Sequence, residues 1–415
     1  MERDVLIIGG GASGLAAALA AAEVLGGQRV AVLERLDRVG KKLLATGNGR
    51  CNLTNRNAAP EHYHTAHPGR LARMLERVPP EAALDFFAGL GLLCDTQPDG
   101  RVYPYCYQAS MVLDVLRAAL ERAGVSAVCG QTAARFCRDG GGLAVETQEG
   151  NRYRAARVIL AAGGAAAPQF GTDGAGYALA RAAGHSVRTP YPCLVPLRCA
   201  AFPAGLKGLR ANGVLTLLDA GRPLRAARGE IQFAEYGLSG IPAMQLSCLL
   251  PQARQPQAAV DLLPQLSIEE VRGMLEARCQ SSAFPTLETL LLGLVGKRLG
   301  YAAMKACGLQ PLSRASAGLS PAERGALAET LKNWRFAVTG TLPWAQAQAT
   351  GGGVPLCEVD ENGASRKCPG LYLVGEVLDA VGECGGFNLQ WAWATGIAAG
   401  RAAGQAALEG TPGQR

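Results

Sequence analysis

The sequence predicts an α/β fold, a parallel sheet with a small antiparallel hairpin layer, split by an inserted small β-rich domain and a helical segment. Three observations predict it. A short apolar run at residues 5–8 ends in Gly9 and passes at once into Gly9-x-Gly11-x-x-Gly14 and an alanine-rich helix over 15–25. A second apolar run, RVAVLE at 29–34, closes on an acid and completes a strand–turn–helix–strand unit of about thirty residues. Near the other end, GLYLVGE at 370–376 repeats the buried-strand pattern and leads into a long helix from 386 to 408.

Between these ends the elements follow from periodicity. Residues 71–89 carry helical spacing, and SMVLDVLRAALERA at 110–123 is amphipathic. Runs at 125–128, 133–137 and 143–147 alternate like strands, the last two joined by the turn RDGGG, and RVIL at 157–160 is a further buried strand. From about 191 prolines cluster and short alternating runs such as GVLTLLD and GEIQFAEYG predict a β-rich domain. Residues 267–334 turn helical, opening on Ser267 with Glu270 three positions on, a capping box. The expected domains are 1–190 with 354–415 (nucleotide-binding), 191–265 with 335–353 (barrel) and 266–334 (helical). The last residues, GTPGQR, read as a frayed tail.

Composition narrows the function classes. Hydrophobic residues make up 48% and charged residues 18% of 415, which fits well-buried globular domains. The net charge of +7 comes from scattered basic residues, so a nucleic-acid partner is not expected and an anionic small molecule is. Thirteen cysteines without any C-x-x-C argue against a disulfide framework or a zinc site and point to the cytoplasm. The apolar start lacks a basic leader and carries Glu23, so neither a secretory signal nor a membrane span is expected.

The glycine turn has a chemical purpose. Gly9 permits the sharp turn, Gly11 lets the backbone approach a pyrophosphate, and Gly14 lets helix and strand pack closely, with Ala12 and Ser13 between them. The helix N-terminus faces the phosphates. Glu34 stands 20 positions past Gly14, where a carboxylate accepts ribose hydroxyls and repels a 2′-phosphate. The distant C-terminal signature favours FAD over NAD, because a ribityl chain and flavin ring need a second set of partners. Gly375, Glu376 and Asp379 offer carboxylates to hydroxyls. Gly386, Phe387, Asn388 and Leu389 begin a helix whose N-terminus stabilises charge on a reduced flavin. No second dinucleotide fold is visible, so NAD(P)H is expected only as a transient donor.

These motifs, with GKKLLATGNGRCNLTN, GRVYP, VILAAGG, GEIQFAEYGLSG and TGGGV, resemble those of one family across nearly the whole chain. It is the bacterial NAD(P)/FAD-dependent oxidoreductases of aminoacetone-oxidase type, which include a bile-acid-pathway reductase of 3-oxo bile acids. The resemblance implies a Rossmann-like FAD domain with a two-part insert, a small β-barrel and a helical cap. It implies that the loop Thr46, Gly49, Arg50, Cys51 and Asn52 wraps pyrophosphate and flavin, with Arg50 on phosphate or a substrate anion and Asn52 on the ring. It places Arg35 and Lys42 near phosphate or adenine-side groups, Ala133 on adenine, and Ala162 and Gly163 at the cofactor.

The expected chemistry is hydride transfer through flavin N5 to a small molecule, in its most concrete form reduction of a conjugated C=C in a 3-oxo steroid or similar substrate. Tyr103 or Tyr236 would supply the proton and Arg50 would hold charge. Tyr103, Tyr105 and Tyr107 alternate, as if sharing one face of a strand. A flavin amine oxidase using oxygen and a tRNA-binding or tRNA-modifying flavoprotein are the alternatives. Cys51 lacks the second cysteine of a redox dithiol. His62, His64 and His67 read as a solvated loop, and no metal is expected. The chain is expected to act as a monomer or homodimer without membrane contact.

Overall fold

A computed structural model describes residues 1–409; the expected frayed tail lies outside them. The chain divides into two compact units, Met1–Pro192 with Ala347–Arg415, and Cys193–Gln346.

The first unit is built on a seven-stranded sheet. Glu2–Ile8 lies at its centre, parallel to Val30–Glu34 on one side and to Arg152–Leu160 on the other. Ser126–Cys129 extends the first side, and Leu371–Leu373 pairs in parallel with Arg152–Leu160. The hairpin Ala133–Asp139 and Gly142–Thr147 adds the antiparallel layer. Val5, Ile7, Val30, Val32 and Ile159 are wholly buried, as a sheet covered on both faces requires.

Helix Ala12–Leu25 packs against the final helix Phe387–Glu409 at backbone distance. A Cβ at Gly396 would fall 2.3 Å from the Ser13 carbonyl oxygen, and one at Gly400 2.3 Å from that of Ala17. A glycine every fourth residue meets an alanine-rich face, so the two helices run parallel in close contact, with Gly396 in the second half-dozen residues of the final helix level with Ser13 at the start of the first.

Two local expectations change. The helical stretch at 71–89 is two helices, Pro68–Arg77 and Pro80–Gly89, because Pro79 and Pro80 remove amide donors and break the run. The three tyrosines do not share a strand face. Arg101–Pro104 ends at its proline, the Tyr107 N–H closes a turn onto the Pro104 carbonyl at 2.8 Å, and Tyr105 is left exposed.

The second unit is a closed six-stranded barrel with its helices on one shared apolar core. Its long hairpin pairs Leu209–Asp219 with Arg222–Ala234. Helix Ile268–Gln280 starts with the expected capping box, the Glu270 N–H donating to Ser267 Oγ at 3.1 Å. Ser320 and Glu323 form a second one before Pro321–Asn333, which sequence reading passed over. Strand Ala349–Gly353, grouped with the barrel on sequence, belongs to the first unit, where it pairs with Arg188–Cys193 in a two-stranded sheet.

Candidate cofactor and active site

A cleft of about 1370 Å³, counting its open mouth, lies in the first unit at the carboxyl ends of the parallel strands and the start of the final helix. That is where open α/β sheets bind ligands. Its walls include Gly9, Gly11, Ala12, Ser13, Glu34 and Arg35 from the first two strands and their turn. Lys42, Thr46, Ala133, Ala162 and Gly163 follow, then Glu376, Asn388 and Leu389 from the C-terminal segment. Segments more than three hundred residues apart therefore meet on one cavity.

The glycine turn is shaped by sterics. A Cβ at Gly14 would fall 1.9 Å from the Gly9 carbonyl oxygen, and one at Gly9, whose φ is +104°, 2.4 Å from that of Ala161. Gly11 has nothing within 4 Å of where its Cβ would stand, so its face is open to the cleft. No side chain caps helix Ala12–Leu25, which leaves its first N–H groups to a ligand. Glu34 accepts from the amides of Gly10 at 2.8 Å and Leu36 at 2.9 Å. Those bonds fix the carboxylate at the cleft and leave it further lone pairs for hydroxyls.

Two of the cations expected at phosphate, Arg35 and Lys42, each carry an acidic partner. Arg35 pairs with Asp173 at 2.7 Å, and Lys42 with Glu376 Oε2 at 2.9 Å. The other Glu376 oxygen, Oε1, is buried without a hydrogen-bond partner, as is Asn52 Oδ1. A buried acceptor without a donor costs about 1–3 kcal/mol. Glu376 Oε1 stands on a cavity wall, where a sugar or ribityl hydroxyl would satisfy it. The bare helix turn, the open face at Gly11 and this orphaned oxygen together fit a dinucleotide with a polyol chain, as FAD has.

Several expected residues stand off the cavity wall. Gly14 and Gly375 are spacers; a Cβ at Gly375 would meet Ser13 Oγ at 2.6 Å. Asp379 is buried and takes Arg188 at 2.8 Å. Cys51 is wholly buried in the core, and burial raises its thiol to about 12, so it is a packing group in its protonated form. Gly49 and Arg50 are exposed, the Arg50 guanidinium 5.6 Å from the Tyr103 ring centre. Tyr103 is buried and stacks on Tyr107, whose hydroxyl donates to Asp95; that bond raises the Tyr107 phenol. Gly386 packs on Thr54 and Asn52, and Phe387 stacks on His62. Tyr236 belongs to the second unit, where its carbonyl accepts from the Cys199 N–H at 2.9 Å.

Sequence reading missed the residues that brace the walls. Trp391 Nε1 donates to the Gly375 carbonyl at 3.0 Å, and Trp393 Nε1 to that of Leu53 at 2.8 Å. Thr395 Oγ1 accepts from the Gly375 N–H at 2.9 Å. Trp391 and Thr395 are four apart, hence on one helix face, a spacing visible in WAWAT. Thr350 Oγ1 accepts from the amides of Ala165 and Ala166 at 2.9 and 3.0 Å, setting the turn after strand Arg152–Leu160.

A family model described as "HI0933-like protein Rossmann domain" matches residues 3–402. The chain belongs to this family. It is 38% identical over 405 residues, 96% of this chain and 98% of the other, to the 3-dehydro-bile acid delta(4,6)-reductase of Clostridium scindens. It is 28% identical over 403 residues, 95% and 96% of the two chains, to the ribosomal RNA dihydrouridine synthase of Haemophilus influenzae. Among solved structures, the 3-ketosteroid delta1-dehydrogenase from Sterolibacterium denitrificans in complex with 1,4-androstadiene-3,17-dione aligns with a TM-score of 0.52 at 15% identity, over 98% of this chain and 100% of that one. That last likeness is one of fold. The HI0933-like chain is a flavin-dependent oxidoreductase, and FAD is the cofactor its cleft suits. Among the described residues no helix is long and apolar enough to cross a membrane, and no three metal-binding side chains converge.

Proposed function

We propose that this HI0933-like protein reduces a carbon–carbon double bond conjugated to a ketone, in a flat polycyclic substrate of the 3-oxo-steroid or bile-acid class. NAD(P)H is the proposed electron donor. The observation that carries the reading is the 38% identity, nearly end to end, to a 3-dehydro-bile acid delta(4,6)-reductase. The reading takes the enzyme as cytoplasmic, a monomer or homodimer, with a small molecule as its partner and neither membrane nor nucleic acid.

Bound FAD would supply the hydride chemistry. Gly9, Gly11, Ala12, Ser13 and Glu34 would hold the adenosine and pyrophosphate half, and Lys42, Thr46, Glu376, Asn388 and Leu389 the other half. The protein's work is to orient the substrate, to exclude water, and to balance charge. In a conjugated ketone the β carbon accepts hydride, and charge collects on the α carbon and oxygen until a proton arrives. The start of the final helix presents unpaired N–H groups that favour negative charge nearby. The Arg50 guanidinium, held over Tyr103, suits an anionic substrate tail such as a carboxylate.

A second reading has its own support in the 28% identity to a ribosomal RNA dihydrouridine synthase. The uracil C5=C6 bond is also conjugated to a carbonyl, so the step is the same and only the substrate differs. Exposed Arg222, Arg225 and Arg228 on the long hairpin of the second unit offer phosphate contacts. The test is anaerobic turnover of the FAD-loaded protein with NADPH and, separately, a 3-oxo-4-ene steroid or an unmodified ribosomal RNA transcript. The proposal expects the steroid to gain one pair of hydrogens by mass. An unchanged steroid alongside RNA that acquires dihydrouridine would overturn it in favour of the second reading.

A further inference from the structure

A tie that the sequence did not announce joins two walls of the cleft. In the sheet, Glu2–Ile8 lies between Val30–Glu34 and Arg152–Leu160, so the segments that follow those two flanking strands stand on either side of the glycine turn. Arg35 and Leu36 follow the first; Phe170, Gly171, Thr172 and Asp173 belong to the segment after the second. All six line the cavity. Arg35 Nη1 donates to Asp173 Oδ2 at 2.7 Å, which connects one wall to the other across 138 positions of sequence. Glu34, whose carboxylate suits ribose hydroxyls, immediately precedes Arg35, so the tie lies at the adenosine end of the cleft.

Apolar packing follows the same path. Gly171 holds φ +97°, and a Cβ there would fall 2.6 Å from Leu36 Cδ1, so the segment rests on Leu36 with no room for a side chain. On its own side the segment is anchored by hydrogen bonds. Thr172 Oγ1 donates to the Ala166 carbonyl at 2.6 Å, and the Gly174 N–H to the Gly164 carbonyl at 3.0 Å. Asp173 Oδ1 accepts from the Ala175 N–H at 3.0 Å, which leaves Oδ2 for Arg35. Anchored at its base and tied at its far edge, the segment is built as a strap. The Arg35 and Asp173 side chains are 27% and 51% exposed, so their pair stands at the solvent side of the cavity and adds little to folding. A tie of small value to stability, set across an opening, acts on what passes through it.

We propose that residues 170–173 form a clasp over the adenosine half of the FAD site, fastened by Arg35 and Asp173, and that the clasp sets how fast the cofactor leaves. The inference rests on the reading of this cleft as a FAD site. It gives Arg35 a task other than the phosphate contact expected on sequence. Its charge is matched by Asp173, and the pyrophosphate is left to the uncapped N–H groups that open helix Ala12–Leu25. Release of FAD then requires the ion pair to part and the strap to lift from Leu36.

The test times FAD release from the holoprotein by flavin fluorescence after dilution. Asp173→Asn removes the charge yet keeps an oxygen for the Ala175 N–H, so the melting temperature of the flavin-free protein should not move. The proposal expects Asp173→Asn to release FAD about twofold to fivefold faster, the range an exposed ion pair supplies. The gap from the parent should close in about 1 M salt, where exposed charges are screened. Arg35→Gln should match Asp173→Asn, and the double variant should be no faster than either, because both remove the same tie. Release from Asp173→Asn at the parent's rate or slower would overturn the clasp, slower release marking Arg35 as a phosphate ligand set free. Effects that multiply in the double variant would overturn it as well. ADP, which carries only the adenosine half, separates the clasp from the cofactor reading; its release from immobilised flavin-free protein is timed by surface plasmon resonance. If the parent takes up no FAD, yet ADP leaves Asp173→Asn faster than it leaves the parent, the flavin reading fails alone. If ADP leaves both at one rate, or binds neither, the clasp falls.

Discussion

The first unit buries Glu34, His185, Asp379 and Glu383; among the described residues of the second, the buried polar side chains are only Ser247 and Ser316. The serine hydroxyls are satisfied within their own neighbourhood, Ser247 donating to the Met244 carbonyl and Ser316 to that of Phe284. Several of the second unit's ion pairs, such as Arg272–Glu329 and Lys207–Glu235, lie exposed, where each contributes little, and its most sheltered, Lys332–Asp261, is still only partly buried. Burying ionisable groups is costly unless they are paired or used. The first unit carries that cost, with Glu34 on the cleft wall itself, and the second is organised as a barrel and helices over an apolar core. Chemistry and support are thus divided between the units, and substitutions should expose the division.

The largest effect is expected at the glycine turn. Gly14→Val sets a branched side chain where even a Cβ stands 1.9 Å from the Gly9 carbonyl oxygen, so helix and strand must separate. We expect a loss of about 3 kcal/mol, the upper range for overpacking, and protein purified without yellow colour. A normal melting curve with full flavin content would show that the turn tolerates what its geometry forbids. Next comes Glu34→Gln. The amide accepts from only one of the Gly10 and Leu36 amides, so about 1–3 kcal/mol is lost. FAD affinity, read by flavin fluorescence, should weaken at least tenfold.

The second unit should respond differently. Ser320→Ala removes the N-cap of Pro321–Asn333 and should lower stability by about 1 kcal/mol in a urea titration. FAD affinity should not change; a change would blur the division between the units.

The smallest effect is a pH dependence centred on His185. Burial lowers its imidazole below the ordinary value, outweighing the opposing pull of Glu358. The folded state therefore binds this proton less readily than the unfolded chain. Stability is full above about 6.5, the unfolded value, and declines as pH falls from there toward the depressed folded value. His185→Gln should flatten that part of a Tm-against-pH curve, while an unaltered slope would assign it to other groups.

Legibility in the sequence followed the range of the forces involved. Gly9, Gly11, Gly14 and Glu34 obey a local rule written within 26 positions, and the rule names both the turn and its ligand. Ser267 with Glu270 is likewise local. The helix break at Pro79 and Pro80 was local too, but apolar spacing across it concealed the prolines. The pairs Lys42–Glu376 and His62–Glu383 join positions more than three hundred apart, and no periodicity reports such contacts. Cys51 and Tyr107 both hold positive φ, 54° each, conformations imposed by packing rather than advertised by residue type. Tyr103, Tyr105 and Tyr107 misled for a related reason: alternation persists in the letters after Pro104 has ended the strand.

The central claim is that the cleft of the first unit holds FAD and passes a hydride to a carbon conjugated with a ketone. The most direct measurement is anaerobic stopped-flow of the purified, pre-reduced holoprotein against a 3-oxo-4-ene steroid, following the visible flavin band. The account predicts that the oxidised spectrum returns in a single phase whose rate saturates with steroid concentration. A flavin that stays reduced with every conjugated ketone offered, yet is reoxidised at once by uridine-containing ribosomal RNA or by oxygen alone, would contradict it.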